Sequence, residues 1–85
     1  MTVLEGESAK FSSDAKGILS VFAVGGESRG ITIKGLQYTL DDGVLSPDFP
    51  LGVSNHFVGK PAEISVKTGK VLLMWDAENG LPDIS

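Results

Sequence analysis

Apolar residues recur along this chain with the two-residue period of β-strands, and no stretch carries a convincing helical repeat. The strongest early signal is Ile18-Leu19-Ser20-Val21-Phe22-Ala23-Val24, nearly continuous apolar sequence that predicts a strand covered on both faces and ended by Gly25-Gly26. Its β-branched content and short length argue against a buried helix. The next run, Ile31 to Leu40, alternates but changes phase: Ile31 and Ile33 sit on odd positions, Leu36, Tyr38 and Leu40 on even ones, and Gly35 lies at the slip. One extra residue in a strand produces such a slip, which predicts a bulge or kink at Gly35 that keeps both halves facing the core and re-aims Tyr38. Asp41-Asp42-Gly43 then has turn chemistry, with Gly43 available for a positive φ, and Val44-Leu45 returns as a short strand.

Upstream, short β-compatible pieces surround Val3-Leu4 and Lys10-Phe11-Ser12. Downstream, Ala62 to Lys67 is a half-buried strand with Ala62, Ile64 and Val66 inward, Thr68-Gly69 reads as a hairpin turn, and Val71 to Trp75 is apolar on both sides, as in a central strand. Residues 76–85 read as a loosely held tail. About six to eight short strands at regular spacing with Gly- and Asp-rich turns predict an all-β fold, a small antiparallel β-sandwich of jelly-roll type, as one domain over residues 1–85. Between Pro50 and Pro61 lies a loop-like segment, Gly52-Val53-Ser54-Asn55-His56-Phe57, whose flanking strands would hold its side chains.

Composition narrows the function. A chain of 85 residues supports one core, and a domain this small is modestly stable unless a partner covers a face. Seven basic residues, scattered singly from Lys10 to Lys70 against eleven acidic ones, give a net charge of -4 and no cationic face for nucleic acid. No apolar run approaches the ~20 residues that span a bilayer, and Glu5 and Glu7 precede the first lysine, unlike a signal peptide. The chain has no cysteine, which leans toward the cytoplasm and removes any thiolate metal site or thiol nucleophile.

Self-contained catalytic chemistry is not evident. Gly59-Lys60-Pro61 and Gly69-Lys70-Val71 lack the Ser or Thr of a phosphate loop, and Gly25-Gly26-Glu27-Ser28-Arg29-Gly30 lacks dinucleotide spacing. His56, the one histidine, has no carboxylate nearby in sequence at ligand spacing and reads as a rim residue. Trp75 and Phe22 read as core. Tyr38 is open between core packing and stacking on a ligand, while Ser54-Asn55 offers a hydroxyl and an amide that suit either a heterocycle edge or a turn cap.

Five short motifs in register carry a resemblance. Gly35-Leu36-Gln37-Tyr38-Thr39-Leu40, then Leu45-Ser46-Pro47, Gly52-Val53-Ser54-Asn55-His56-Phe57-Val58-Gly59, Ala62-Glu63-Ile64-Ser65-Val66 and Val71-Leu72-Leu73 together resemble the C-terminal thiamine-binding domain of thiamine pyrophosphokinase. The resemblance implies a two-domain, dimeric enzyme that transfers pyrophosphate from ATP to thiamine, giving thiamine diphosphate and AMP. It implies that ATP and Mg2+ are held by an N-terminal catalytic domain, that this domain alone binds neither and is inactive, and that thiamine lies between the two. By position, Ser54 and Asn55 match a Ser-Asn that addresses the aminopyrimidine, Tyr38 matches an aromatic position near the cleft, and Gly52 matches a loop position that is Ser in some members. Other readings are a stand-alone, non-catalytic sandwich for oligomerisation or ligand sensing, and a carbohydrate-binding module, which would want several exposed aromatics where this chain has one Trp and one Tyr.

Overall fold

A computed structural model describes residues 1–47 and 55–85. Its elements in chain order are β1 (Thr2–Glu5), β2 (Ser8–Phe11), β3 (Ile18–Ala23), β4 (Ser28–Lys34), β5 (Leu40–Leu45), β6 (Asn55–His56), β7 (Ala62–Ser65), β8 (Lys70–Trp75), a 3-10 turn (Ala77–Asn79) and β9 (Asp83–Ile84). The strands form two sheets, β1-β8-β3-β6 and β5-β4-β7-β2-β9, with every neighbouring pair antiparallel. This is the all-β sandwich that the strand spacing predicts.

Alternation along each strand builds the core. Leu4, Leu19, Val21, Val71 and Leu73 point inward from the first sheet and meet Ala9, Ile31, Ile33, Leu45 and Ile64 from the second. Ala62, Ile64 and Val66 are buried as their spacing predicts. One end is closed by aromatics, with Phe11 edge-on to Phe57 at 5.2 Å and to Trp75 at 5.3 Å. Trp75 is only partly buried, and its indole N–H donates to the Gly80 carbonyl at 2.8 Å.

The two outer faces differ in kind. On the second sheet, Lys34, Glu63, Lys10 and Asp83 stand opposite one another across β4, β7, β2 and β9, a solvated row of alternating charge. On the first sheet the outer row is Val3, Leu72 and Phe22, flanked by Met74, 44% exposed, and Ile18, 49% exposed. The expectation that β3 and β8 are covered on both faces is therefore corrected. Their inner faces are buried, but among the described residues nothing covers the outer ones, and Phe22 stands on that outer face rather than in the core.

Other expectations change for reasons of connectivity. Thr68-Gly69 does not close a hairpin, because β7 and β8 lie in different sheets and the chain crosses between them there. Gly43 does not take a positive φ. Asp42 does, at 50°, inside an edge strand whose register shifts twice against β4. Residues 76–85 are tied down: β9 pairs with β2, Asn79 exchanges hydrogen bonds of 3.0 and 2.8 Å with the Lys16 main chain, and Ser85 does so with Ser8. At the crossover, buried Ser28 donates its hydroxyl to the Lys70 carbonyl at 2.8 Å and links β4 to β8. Replacing it with Ala should cost about 1 kcal/mol, readable as a drop in denaturation midpoint.

Candidate functional site

The site begins where β4 ends. Gly35 has φ +75°, a conformation glycine adopts without strain, and a Cβ there would collide with the Pro61 carbonyl oxygen. The bulge or kink expected at Gly35 is a kink, but it does not lie inside one long strand. Gly35 turns the chain off the second sheet, and Leu36 to Tyr38 run beside residues 55–57, which belong with the first. Leu36 bridges Phe57 and is buried, and the Gln37 N–H donates to the His56 carbonyl at 3.0 Å. The phase change at Gly35 thus marks a crossing between sheets, and it leaves Tyr38 outside the core, 62% exposed.

Asn55 locks this arrangement. It is fully buried on β6, opposite Leu19 of β3, with its side chain turned toward the Tyr38 segment. Its Oδ1 accepts from the Tyr38 N–H at 2.9 Å and from the His56 N–H at 3.0 Å, and its Nδ2 donates to the Tyr38 carbonyl at 2.7 Å. Two N–H groups aimed at one atom require an oxygen there, which fixes the orientation of the amide. Both acceptor positions of Oδ1 are taken by main-chain donors.

Of the residues singled out by sequence, the structure brings Tyr38 and Asn55 together, main chain to side chain, across 17 positions. Gly52 and Ser54 lie outside the described residues. His56 is exposed, with its main chain paired to β3 and to Gln37. An open groove of about 420 Å³ runs between β4 and β5, bounded by Lys34, Gly35, Thr39, Leu40 and Asp41; Tyr38 does not line it. Sequence reasoning offers Asn55 two roles, ligand contact or turn cap, and has no signal for a third, because its partner is distant in the chain.

Among the described residues, no three His, Asp or Glu side chains gather into a site that would fit a metal ion, and no helix is long and apolar enough to cross a membrane.

Comparison with known proteins supplies three findings. The family model described as thiamin pyrophosphokinase, vitamin B1 binding domain, matches residues 7–72. No curated protein gives a significant match. Among solved structures, the crystal structure of thiamine pyrophosphokinase from Bacillus subtilis superposes with a TM-score of 0.75 at 16% identity, over 85% of this chain and 34% of that one. At that identity the superposition speaks for the fold, and this chain spans about a third of the other's length.

Proposed function

The chain belongs to the thiamin pyrophosphokinase vitamin B1 binding domain family, and from that premise we propose that it supplies the thiamine-holding part of a cytoplasmic enzyme that transfers pyrophosphate from ATP to thiamine, forming thiamine diphosphate and AMP. The family match over residues 7–72 is the observation that carries this reading. Thiamine presents a flat aminopyrimidine and a cationic thiazolium, so it calls for an aromatic face and a few polar groups. The exposed ring of Tyr38 at the sandwich rim offers the aromatic face. In this reading Ser54 contributes a hydroxyl and Gly52 main-chain groups, the roles that their match to the family's positions implies.

The proposed transfer also needs ATP and Mg2+. In our reading they belong to an N-terminal catalytic domain. No step of the chemistry runs through this chain, whose part is to hold the thiamine hydroxyl within reach of the nucleotide and so supply proximity and orientation. The domain alone should be inactive, with half of its cleft absent. We further propose a homodimer formed through the outer face of the β1-β8-β3-β6 sheet. That face is apolar, and the ion pair at its edge, Lys70 Nζ to Glu5 at 3.9 Å, sums to zero charge. The domain as a whole carries -4, so this is a face on which two copies can meet without repulsion.

The test is thiamine titration, with assay of thiamine diphosphate and AMP, on the full-length protein that carries this domain. Binding and turnover support the reading; a protein that neither binds thiamine nor turns it over belongs to the assembly or sensing class instead. In the same protein, Tyr38→Ala should raise the KM for thiamine roughly tenfold, the loss of about 1.4 kcal/mol of stacking and cation–π attraction. The KM for ATP should stay within about twofold of wild type, since the ring would not touch the nucleotide.

A further inference from the structure

We infer that Asn55 serves thiamine recognition as a positioning residue that presents Tyr38, rather than by touching the ligand. The inference rests on the proposed thiamine site. It starts from the bonding pattern: the amide of Asn55 gives Tyr38 an acceptor for its N–H and a donor for its carbonyl, the two bonds a neighbouring strand residue would make. Tyr38 needs such a partner. It lies past the end of β4 and before β5, where neither strand supplies its ladder bonds. The third bond, from the His56 N–H to the same Oδ1, ties the amide to its own strand and prevents it from swinging. Pairing of Leu19 with Asn55 anchors that strand to the core.

The amide therefore has a buried end and a working end on the same atoms. A ligand group that took Oδ1 would have to reach a side chain with no exposure to solvent and displace a main-chain N–H already bonded to it. Tyr38 shows the complementary pattern. Its main chain is held on both sides while its ring projects into solvent, an arrangement that leaves an exposed aromatic pre-set for contact. Fixing the backbone that carries the ring before binding reduces the ordering entropy that binding must overcome.

A double-substitution cycle in the full-length protein tests this. Asn55→Ala should raise the thiamine KM several-fold with the ATP KM within about twofold, and the Asn55→Ala/Tyr38→Ala pair should be no worse than Tyr38→Ala alone. Multiplying effects would mean an independent Asn55 contact with thiamine and would overturn the inference. Amide hydrogen exchange, which needs no ligand, reads the clasp itself. In Asn55→Ala the Tyr38 amide should exchange at least about tenfold faster, while Val21 and Leu73 in the core strands stay protected. Equal acceleration at all three would reduce Asn55 to general support of the sandwich, and an unchanged Tyr38 rate would remove the clasp. Should Asn55→Ala not fold, Asn55→Ser, which removes the amide that bonds both Tyr38 groups and keeps a small polar side chain on β6, takes its place in both measurements. A wild-type protein that fails to bind thiamine overturns the site reading and the recognition role together, and the exchange data still decide whether the clasp exists.

Discussion

Gly35→Ala is expected to destabilise the domain by about 3 kcal/mol or more, the sum of a left-handed backbone forced on a residue with a Cβ and a collision that cannot relax cheaply. The collision partner decides the size. The new methyl carbon would run into the Pro61 carbonyl oxygen and sit 3.0 Å from the Ala62 Cα, both main-chain atoms at the entry to β7. Strand β7 lies between β4 and β2, so moving it disturbs both neighbours. Gly59 makes the comparison clean. It has nearly the same φ, +77°, and an added methyl there would meet nothing within 4 Å, so Gly59→Ala should cost only about 1 kcal/mol. Hydrogen exchange of the Val21 and Leu73 amides in the intact protein measures both. A loss of protection of roughly a hundredfold or more is expected for Gly35→Ala and well under tenfold for Gly59→Ala, at about 1.4 kcal/mol per decade. Equal effects would show that the Pro61 carbonyl yields and that only the backbone conformation matters.

The same glycine shows what the sequence reveals and what it conceals. The two-residue period locates most strands and the inward residues of β7, because side-chain alternation is a local property of extended backbone. The phase slip at Gly35 is visible as well. Its meaning is not, since a slip within one strand and a departure to another sheet leave the same apolar pattern. Thr68-Gly69 conceals its crossing for the same reason: a turn's residues specify local dihedrals, not which sheet receives the next strand. The 3-10 turn and β9 are invisible because their hold on the domain is main-chain pairing with Ser8 to Lys10 and an amide on Lys16, none of which needs apolar residues. At the site, residue type points to Tyr38 and Asn55 separately. Their union requires a side-chain amide to stand in for a strand, a tertiary fact with no local trace.

Leu72→Glu should convert the proposed dimer of the full-length protein to monomer while leaving the sandwich folded. Leu72 stands mid-row on the outer face of β8, opposite Val3 of β1 and Phe22 of β3, and is only partly covered within its own chain. A carboxylate at that position can reach water in a lone domain, so the fold should lose no more than about 1 kcal/mol. In a two-fold interface the same change acts twice, placing two like charges in a desolvated apolar patch at several kcal/mol each. Sedimentation or light scattering gives the mass, and circular dichroism checks that the sheets persist. A monomeric wild type whose melting temperature falls steeply on Leu72→Glu would mean that another part of the same chain covers this face. A dimer that survives the substitution would place the interface elsewhere. The two sheets differ in what they turn outward: one presents alternating charge to solvent, and the other an apolar row of Val3, Leu72 and Phe22, only partly covered, whose further burial against a second copy would stabilise a domain of this size.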